Sequence, residues 1–423
     1  MPCRLGIPFT RSVQSTRSRR TLLSTHTTSA ALQGVKVIEL GGLIAGPYAA
    51  SLFAQFGAEV IKIEPPGQGD PLRTWRKLYK GTSLWWYSQS RNKKSLTLNL
   101  KAEGGRRIVR ALVENADVLV ENFRPGTLEA WGLGWDVLSQ INPSLVMVRI
   151  SGYGQSGPYR DRPGFAAIAE AMGGLRYVTG YPDRPPVRVG VSLGDTLASL
   201  YAVIGALVAL HHRNVNGGRG QVVDVALYEA VFAVMESLLP EFARLGFIRE
   251  RSGGSLPGIS PSNTYPCVDG KYVVIAGNAD AIFRRLMVAI GRSDLAEDPA
   301  LATNEGRVQQ SEAIDAAIAA WTSRHSLEQV IGTLERAEVP VGSIYTAADI
   351  HRDPHYRDRG MIEPAVLPDG ETVDLPGIVP RLTLTPGRTR WIGPALGAHI
   401  EDVLATLGIS RAELASLRSD GVV

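Results

Sequence analysis

The sequence predicts an α/β protein: a large Rossmann-like domain, assembled from N- and C-terminal parts of the chain, with a smaller α+β domain between them. Three observations predict it. Val35-Lys-Val-Ile-Glu-Leu40, a glycine-rich turn, an apolar helical pattern and Glu59-Val-Ile-Lys-Ile63 form a β-α-β unit, and such units build parallel sheets. The alternation of strand and helix patterns continues to residue 150. Finally, 423 residues, 44% hydrophobic and 20% charged, exceed the usual size of one domain and have a globular composition.

In chain order, Val35 to Leu40 reads as a buried strand, Gly41 to Pro47 as a turn and Tyr48 to Phe56 as a helix. Pro47 is tolerated at a first helical turn because its missing amide would be unpaired there. After the strand Glu59 to Ile63 come a helix from Gly104 to Glu114, a strand Val118–Glu121, a helix Thr127–Trp131 and a strand Leu145–Ile150. Leu197 to Leu210 is the longest apolar stretch, too short for a bilayer and suited to a buried core helix over 196–212. His211-His212-Arg213 places cations at its C-terminus, ahead of a Gly-rich turn and a strand Val222–Val225. A long helix is expected from Glu229 to Leu245, and a Gly/Pro/Ser loop from Arg251 to Ser262. Two short strands around Lys271 to Ile275 and helices from Ala279 to about Thr333 suggest the smaller domain. Ala347 to Gly360 reads as a return linker, Asp369 to Arg381 as a turn with short strands, and Ile400 to Leu417 as two helices broken at Gly408. The expected divisions are a targeting segment (1–31), the large domain (32–228), a linker helix with its glycine loop (229–262), the small domain (263–346) and a return to the large domain (347–423).

Residues 1–31 hold five arginines, no acid and many Ser and Thr, a composition that fits a mitochondrial presequence and a matrix location. Without them the net charge goes from +4 to −1, which gives no reason to expect nucleic acid or a membrane as partner. The two cysteines, Cys3 and Cys267, offer no disulfide framework, and Cys267 reads as a packed small residue. His351 and His355 have metal-like spacing, but Pro354 forbids the helix that would align them, so no metal site is expected.

Asp195 is the candidate for chemistry. It lies at the head of the apolar helix, in Gly190-Val-Ser-Leu-Gly-Asp195. Two readings stay open at this level: an N-cap for that helix, or a carboxylate nucleophile presented to an activated carbonyl in a cleft. Glu64, at the end of the second strand, invites a dinucleotide reading. However, Gly41-Gly-Leu-Ile-Ala-Gly46 lacks the G-x-G-x-x-G spacing that an NAD-dependent oxidoreductase needs.

Separated segments in matched order resemble the class III CoA-transferase family, which includes formyl-CoA transferase, carnitine CoA-transferase and α-methylacyl-CoA racemase. They are Leu43-Ile-Ala-Gly-Pro47 with Gly57 to Glu64, Gly69-Asp70 with Arg73, Asn92 to Lys101, Asp117 to Gly126, Gly152 to Pro158, Gly190 to Asp195, Gly218-Arg-Gly-Gln221 and Leu396 to Ile400. The resemblance spans about residues 32 to 423, and within the family it leans toward the succinyl-CoA:glutarate branch. It implies an interlocked homodimer, no resident cofactor, and acyl-CoA and a carboxylic acid as substrates. It also implies a catalytic role for Asp195 and a CoA path along Leu98, Asn99, Leu100, Lys101, Asn122, Phe123 and Arg124. Lys101 and Arg124 suit CoA phosphates. Ala45, Phe165, Gly253 and Gly254 are candidate substrate contacts, Arg73 and Arg188 could steer a second carboxylate, and the glycine loop is expected to fold over the intermediate. Trp85, Trp86 and Tyr87 read as core packing.

Departures from the family pattern narrow the activity. The racemase branch carries Gly-His-Asp where this chain has Gly164-Phe165-Ala166, and Phe165 cannot accept a proton. The expected activity is therefore CoA transfer, with succinyl-CoA as the donor suggested by a mitochondrial address. The acceptor would be glutarate, itaconate or a hydroxylated relative. Racemisation or isomerisation, NAD-dependent oxidoreduction and mere acyl-CoA binding are the alternatives.

Overall fold

The computed structural model describes residues 29–423; the targeting segment expected over 1–31 lies, up to residue 28, outside them. Six strands form, all but β3 from Val- and Ile-rich runs: β1 (Lys36–Glu39), β2 (Glu59–Glu64), β3 (Lys93–Thr97), β4 (Val118–Glu121), β5 (Val146–Ser151) and β6 (Val222–Ala226). All pair in parallel, in the order β3-β2-β1-β4-β5-β6. This is a doubly wound α/β sheet, whose order reverses between β1 and β4, where ligands bind beyond the carboxyl ends of the strands.

Successive side chains of each strand point to opposite faces, and both faces are apolar. On one face Val37, Val60, Val118, Val120, Val146 and Val148 pack against α1 (Ala45–Gln55) and the long helix Leu193–Val215. On the other, Ile38, Leu119 and Met147 are covered by α2 (Glu103–Val113) and by the C-terminal helices Ile400–Thr406 and Arg411–Ser419. A short helix, α3 (Ala166–Met172), packs beside the long helix, α4 (Leu193–Val215). A separate core, including Tyr265, Val273, Ile275, Leu286, Ile318 and Leu334, forms under an antiparallel sheet of Ser262–Pro266, Tyr272–Ala276 and Val341–Ser343.

Several elements depart from the sequence reading. α1 begins at Ala45, three residues before Tyr48. The long helix expected over Glu229–Leu245 is two helices, Leu227–Phe232 and Leu238–Leu245, because Glu236 between them has φ +52° and cannot continue an α-helix. The linker around Ala347–Gly360 contains two short helices, and Pro354 opens the second, so His351 and His355 lie on different helices. Most consequentially, α4 runs for 23 residues from Leu193, so Asp195 sits inside its first turn and is not its N-cap. On length and hydropathy alone α4 could cross a bilayer, yet Ala198, Ala202, Ala206 and Ala209 bury one face against the sheet. Leu200, Ile204 and Val208 remain exposed on another.

Candidate active site

Two adjoining cavities open where the parallel strands end. The first, about 720 Å³, is walled by Leu40 to Leu43 after β1, Ile63 to Pro66 around the end of β2, Leu98 to Lys101 after β3, and Asn122 and Phe123 after β4. The second, about 760 Å³, lies under β4, β5 and β6 and contains Asp195. Leu43, Pro71, Asn122, Phe123 and Phe165 border both.

The backbone between the cavities is fixed by side chains from elsewhere in the chain. Asn122 accepts from Gly42 N at 2.9 Å and returns its amide to Gly42 O at 3.0 Å. Asp70 accepts from Leu43 N at 3.0 Å, Lys62 donates to Gly41 O at 2.9 Å, and Gln89 donates to Leu43 O at 2.7 Å. These bonds hold Leu43 at φ +64°, a conformation that few branched residues adopt. A Cβ on Gly41 or Gly46 would lie 2.5 or 2.9 Å from Asn122 Oδ1, so the glycines in this turn admit the Asn122 clamp. Beneath the turn Lys62 bridges Glu39 at 2.6 Å and Asp70 at 2.7 Å, and Lys93 reaches Glu39 at 2.8 Å. Burial opposes the Lys62 charge, but the carboxylates of Glu39 and Asp70 outweigh it and hold Lys62 above the usual ammonium range. Lys93, sharing a carboxylate already engaged by Lys62, is pushed down by burial to about 8.

Asp195 is held differently. Position three of α4 directs its carboxylate into the second cavity, where it accepts no hydrogen bond from the described residues. Burial pushes its pKa up to about 6, the charge of Glu170 pushes the same way, and Arg188 opposes them. Ser199 secures the helix to the turn: its hydroxyl lies 2.7 Å from both Ala45 O and Asp195 O and donates its one proton to either. Four arginines, Arg124, Arg160, Arg162 and Arg188, line this cavity, and Asp195 is the only carboxylate lining it among the described residues. An oxyanion without hydrogen-bond donors, desolvated beside cations, has the makings of a nucleophile toward an anionic, activated acyl group.

The structure brings Leu98, Asn99, Leu100 and Lys101 together along the first cavity, with Asn122 and Phe123 at the junction. Arg124, Ala45, Phe165 and Arg188 line the second with Asp195. Arg73 does not join them: it forms a fork on Glu64 at 2.7 and 2.8 Å, donates to Pro394 O, and lies 3.7 Å over the Trp86 ring. This corrects its assignment as a carboxylate-steering residue, since its donors are spent on the fold. The same pairing occupies Glu64, which leaves no ribose ligand. Gly253 and Gly254 line neither cavity; Gly253 packs against the Tyr181 ring and donates its N–H to Gly180 O, while Gly254 abuts Asn263 and Thr264. Trp86 and Tyr87 are buried, as packing residues would be. Sequence reasoning passed over Arg160, Arg162 and Glu170. A lone acid in the apolar run Ala166-Ala-Ile-Ala-Glu-Ala-Met172 was the available signal for Glu170, because such a charge is buried only with a partner.

Known proteins resemble this chain in sequence and in fold. The sequence profile of CoA-transferase family III matches residues 32–400. The chain is 50% identical to succinyl-CoA–D-citramalate CoA-transferase of Chloroflexus aurantiacus, over 93% of this chain and 98% of that protein. It is 42% identical to the beta subunit of succinyl-CoA–L-malate CoA-transferase from the same organism, over 94% of this chain and 99% of that one. A crystal structure of a CAIB/BAIF family protein from Brucella suis superposes with TM-score 0.79 at 34% identity, covering 90% of this chain and all of that one.

Proposed function

The chain belongs to CoA-transferase family III, and we propose that it moves CoA from succinyl-CoA to a small dicarboxylic acid through Asp195. The observation that carries this reading is the unpartnered Asp195 carboxylate in an arginine-lined cavity at the sheet's switch region. In the proposed cycle an Asp195 oxygen attacks the thioester carbon and the C–S bond breaks, leaving a mixed anhydride and CoA thiolate. The thiolate then attacks the aspartyl carbonyl, succinate departs, and Asp195 carries CoA as a thioester. The acceptor carboxylate runs the same two steps in reverse. Each step exchanges one carboxylate for one thiolate, so the proton count does not change. Backbone N–H groups of the first turn of α4, other than Gly194 N, which Glu170 holds, would support the tetrahedral oxyanions, a contribution typically of several kcal/mol.

In this reading the nucleotide end of CoA follows Leu98 to Lys101 and crosses to Asp195 past Asn122 and Phe123, with Arg124 beside the phosphates. The relatives acting on D-citramalate and L-malate weight the acceptor toward hydroxylated dicarboxylates, with glutarate and itaconate as unhydroxylated comparators. Racemisation is disfavoured because it needs two bases, and no His, Glu or Lys among the described residues lines the cavity opposite Asp195. Incubation with succinyl-CoA and a panel of acids, followed by mass spectrometry of the CoA products, tests the proposal. New acyl-CoA species support it, whereas unchanged or isomerised succinyl-CoA rejects it.

Two further readings accompany this one. Leu200, Ile204 and Val208 on α4 expose an apolar stripe that a second copy of the chain would cover, in support of a homodimer; sedimentation tests it. The family profile begins at residue 32, and the composition of the preceding Arg- and Ser-rich segment is in keeping with a matrix address. Import assays with and without residues 1–31 test that.

A further inference from the structure

Glu170 is a strongly buried charge beside the Asp195 cavity that the proposed chemistry does not use. It is 2% exposed, on α3, and its two oxygens hold two different parts of the site. Oε1 accepts from Gly194 N, the residue before Asp195, at 3.3 Å. Oε2 accepts from Arg188 Nε at 3.2 Å, with Arg176 Nη2 3.6 Å from the same oxygen. Arg188 makes no other hydrogen bond among the described residues, and its side chain is 45% exposed on the wall of the cavity that holds Asp195. With Nε engaged, the guanidinium plane is set while both terminal nitrogens stay open, which is the fork that matches a carboxylate. The other arginines of the cavity are placed differently. Arg162 stacks 3.7 Å over Tyr159, Arg160 pairs with Asp161, and Arg124 donates to Asp161 O.

We propose that Glu170 is a positioning residue that aims the Arg188 fork beside Asp195, creating the receptor for the carboxylate of the substrate that does not react. The inference rests on the transferase reading and adds the basis of its selectivity. A monocarboxylate acceptor would leave that fork empty, and a dicarboxylate would fill it. A lysine in place of Arg188 keeps the charge and loses the planar fork. A glutamine in place of Glu170 keeps an acceptor for Gly194 N and loses the ion pair that orients Arg188.

The test uses the full-length protein with succinyl-CoA as donor and compares glutarate with pentanoate, acceptors of equal chain length. For a ping-pong cycle kcat/KM for the acceptor does not depend on the donor half, so the glutarate-to-pentanoate ratio isolates the second carboxylate. Glu170→Gln and Arg188→Lys should each lower that ratio about tenfold, the usual cost of a misaligned charge-assisted contact. The double variant should fall no further than the lower single, because Glu170 acts through Arg188. A ratio within about twofold of the parent in either folded variant, or additive losses in the double, overturns the proposal. Should Glu170→Gln not fold, Arg188→Lys decides alone, and a retained preference for glutarate refutes the receptor. Absence of any transfer by the parent would instead reject the transferase reading.

Discussion

Replacing Asp195 by Asn should stabilise the folded chain while abolishing transfer, and the gain should grow with pH. The Asp195 carboxyl is raised from an ordinary 3.8 to about 6, first by burial and then by the Glu170 charge, with Arg188 in opposition. Between those values the folded chain binds more protons than the unfolded one. Ionising Asp195 therefore lowers stability as pH rises, with almost no cost below about pH 4 and the full cost above about pH 6. At about 1.4 kcal/mol per pKa unit the full cost approaches about 3 kcal/mol, and water in the open cavity reduces it toward about 2. Asn fills nearly the same volume and never ionises. Urea unfolding of parent and variant near pH 4.5 and pH 8 measures the difference directly. The reasoning predicts about 2 kcal/mol more stability for Asp195→Asn near pH 8 and about 1 or less near pH 4.5. A gain that is absent at pH 8, or equal at both values, would show that Asp195 is not a desolvated charge.

The remaining predictions concern the same site. With Asp195 as an ionised nucleophile of pKa about 6, kcat/KM for succinyl-CoA should fall about tenfold per unit below pH 6 and be flat above it; a pH–rate profile without that limb would exclude Asp195. Asn122→Ala removes both bonds to Gly42 and leaves the Gly42 backbone groups without this clamp, so it should cost about 1–3 kcal/mol and raise KM for succinyl-CoA more than it changes kcat. Arg73→Ala strips the buried Glu64 of its fork partner and should lower stability by about 3 kcal/mol, with unaltered acceptor KM in the folded fraction. A large change in acceptor KM without loss of stability would return Arg73 to a substrate role.

The sheet was legible because its strands are continuous Val/Ile runs and because both faces are buried. The exception is β3, where Lys93 and Lys94 disguise the pattern. Lys93 is wholly buried only because Glu39, two strands away, supplies its counter-charge, and no local periodicity could report that. The α4 boundary was misread for a similar reason. Leu193 and Gly194 look like turn residues, yet Glu170 from a neighbouring helix accepts the Gly194 N–H and extends the helix past Asp195. The candidate residues Leu98 to Lys101, Asn122, Phe123 and Asp195 could be gathered from the family pattern because each follows the end of a strand or opens a helix, and the topology brings those ends together. Arg73 could not be judged in that way: charge and position made it resemble a substrate ligand, and only the Glu64 fork reveals that it is spent. The glycine loop at Gly253 likewise has the composition of a flexible cover, while its contacts with Gly180 and Tyr181 tie it to the segment leading to Arg188.

The central claim is that Asp195 itself carries the transferred group. Incubating the protein with succinyl-CoA in the absence of acceptor, quenching with hydroxylamine and mapping peptides by mass spectrometry tests it most directly. The account predicts a hydroxamate on Asp195, lost when the acceptor acid is added first and absent from the Asn variant. Unmodified Asp195 in a preparation that is turning over, or a hydroxamate on a different carboxylate such as Glu170, would contradict it.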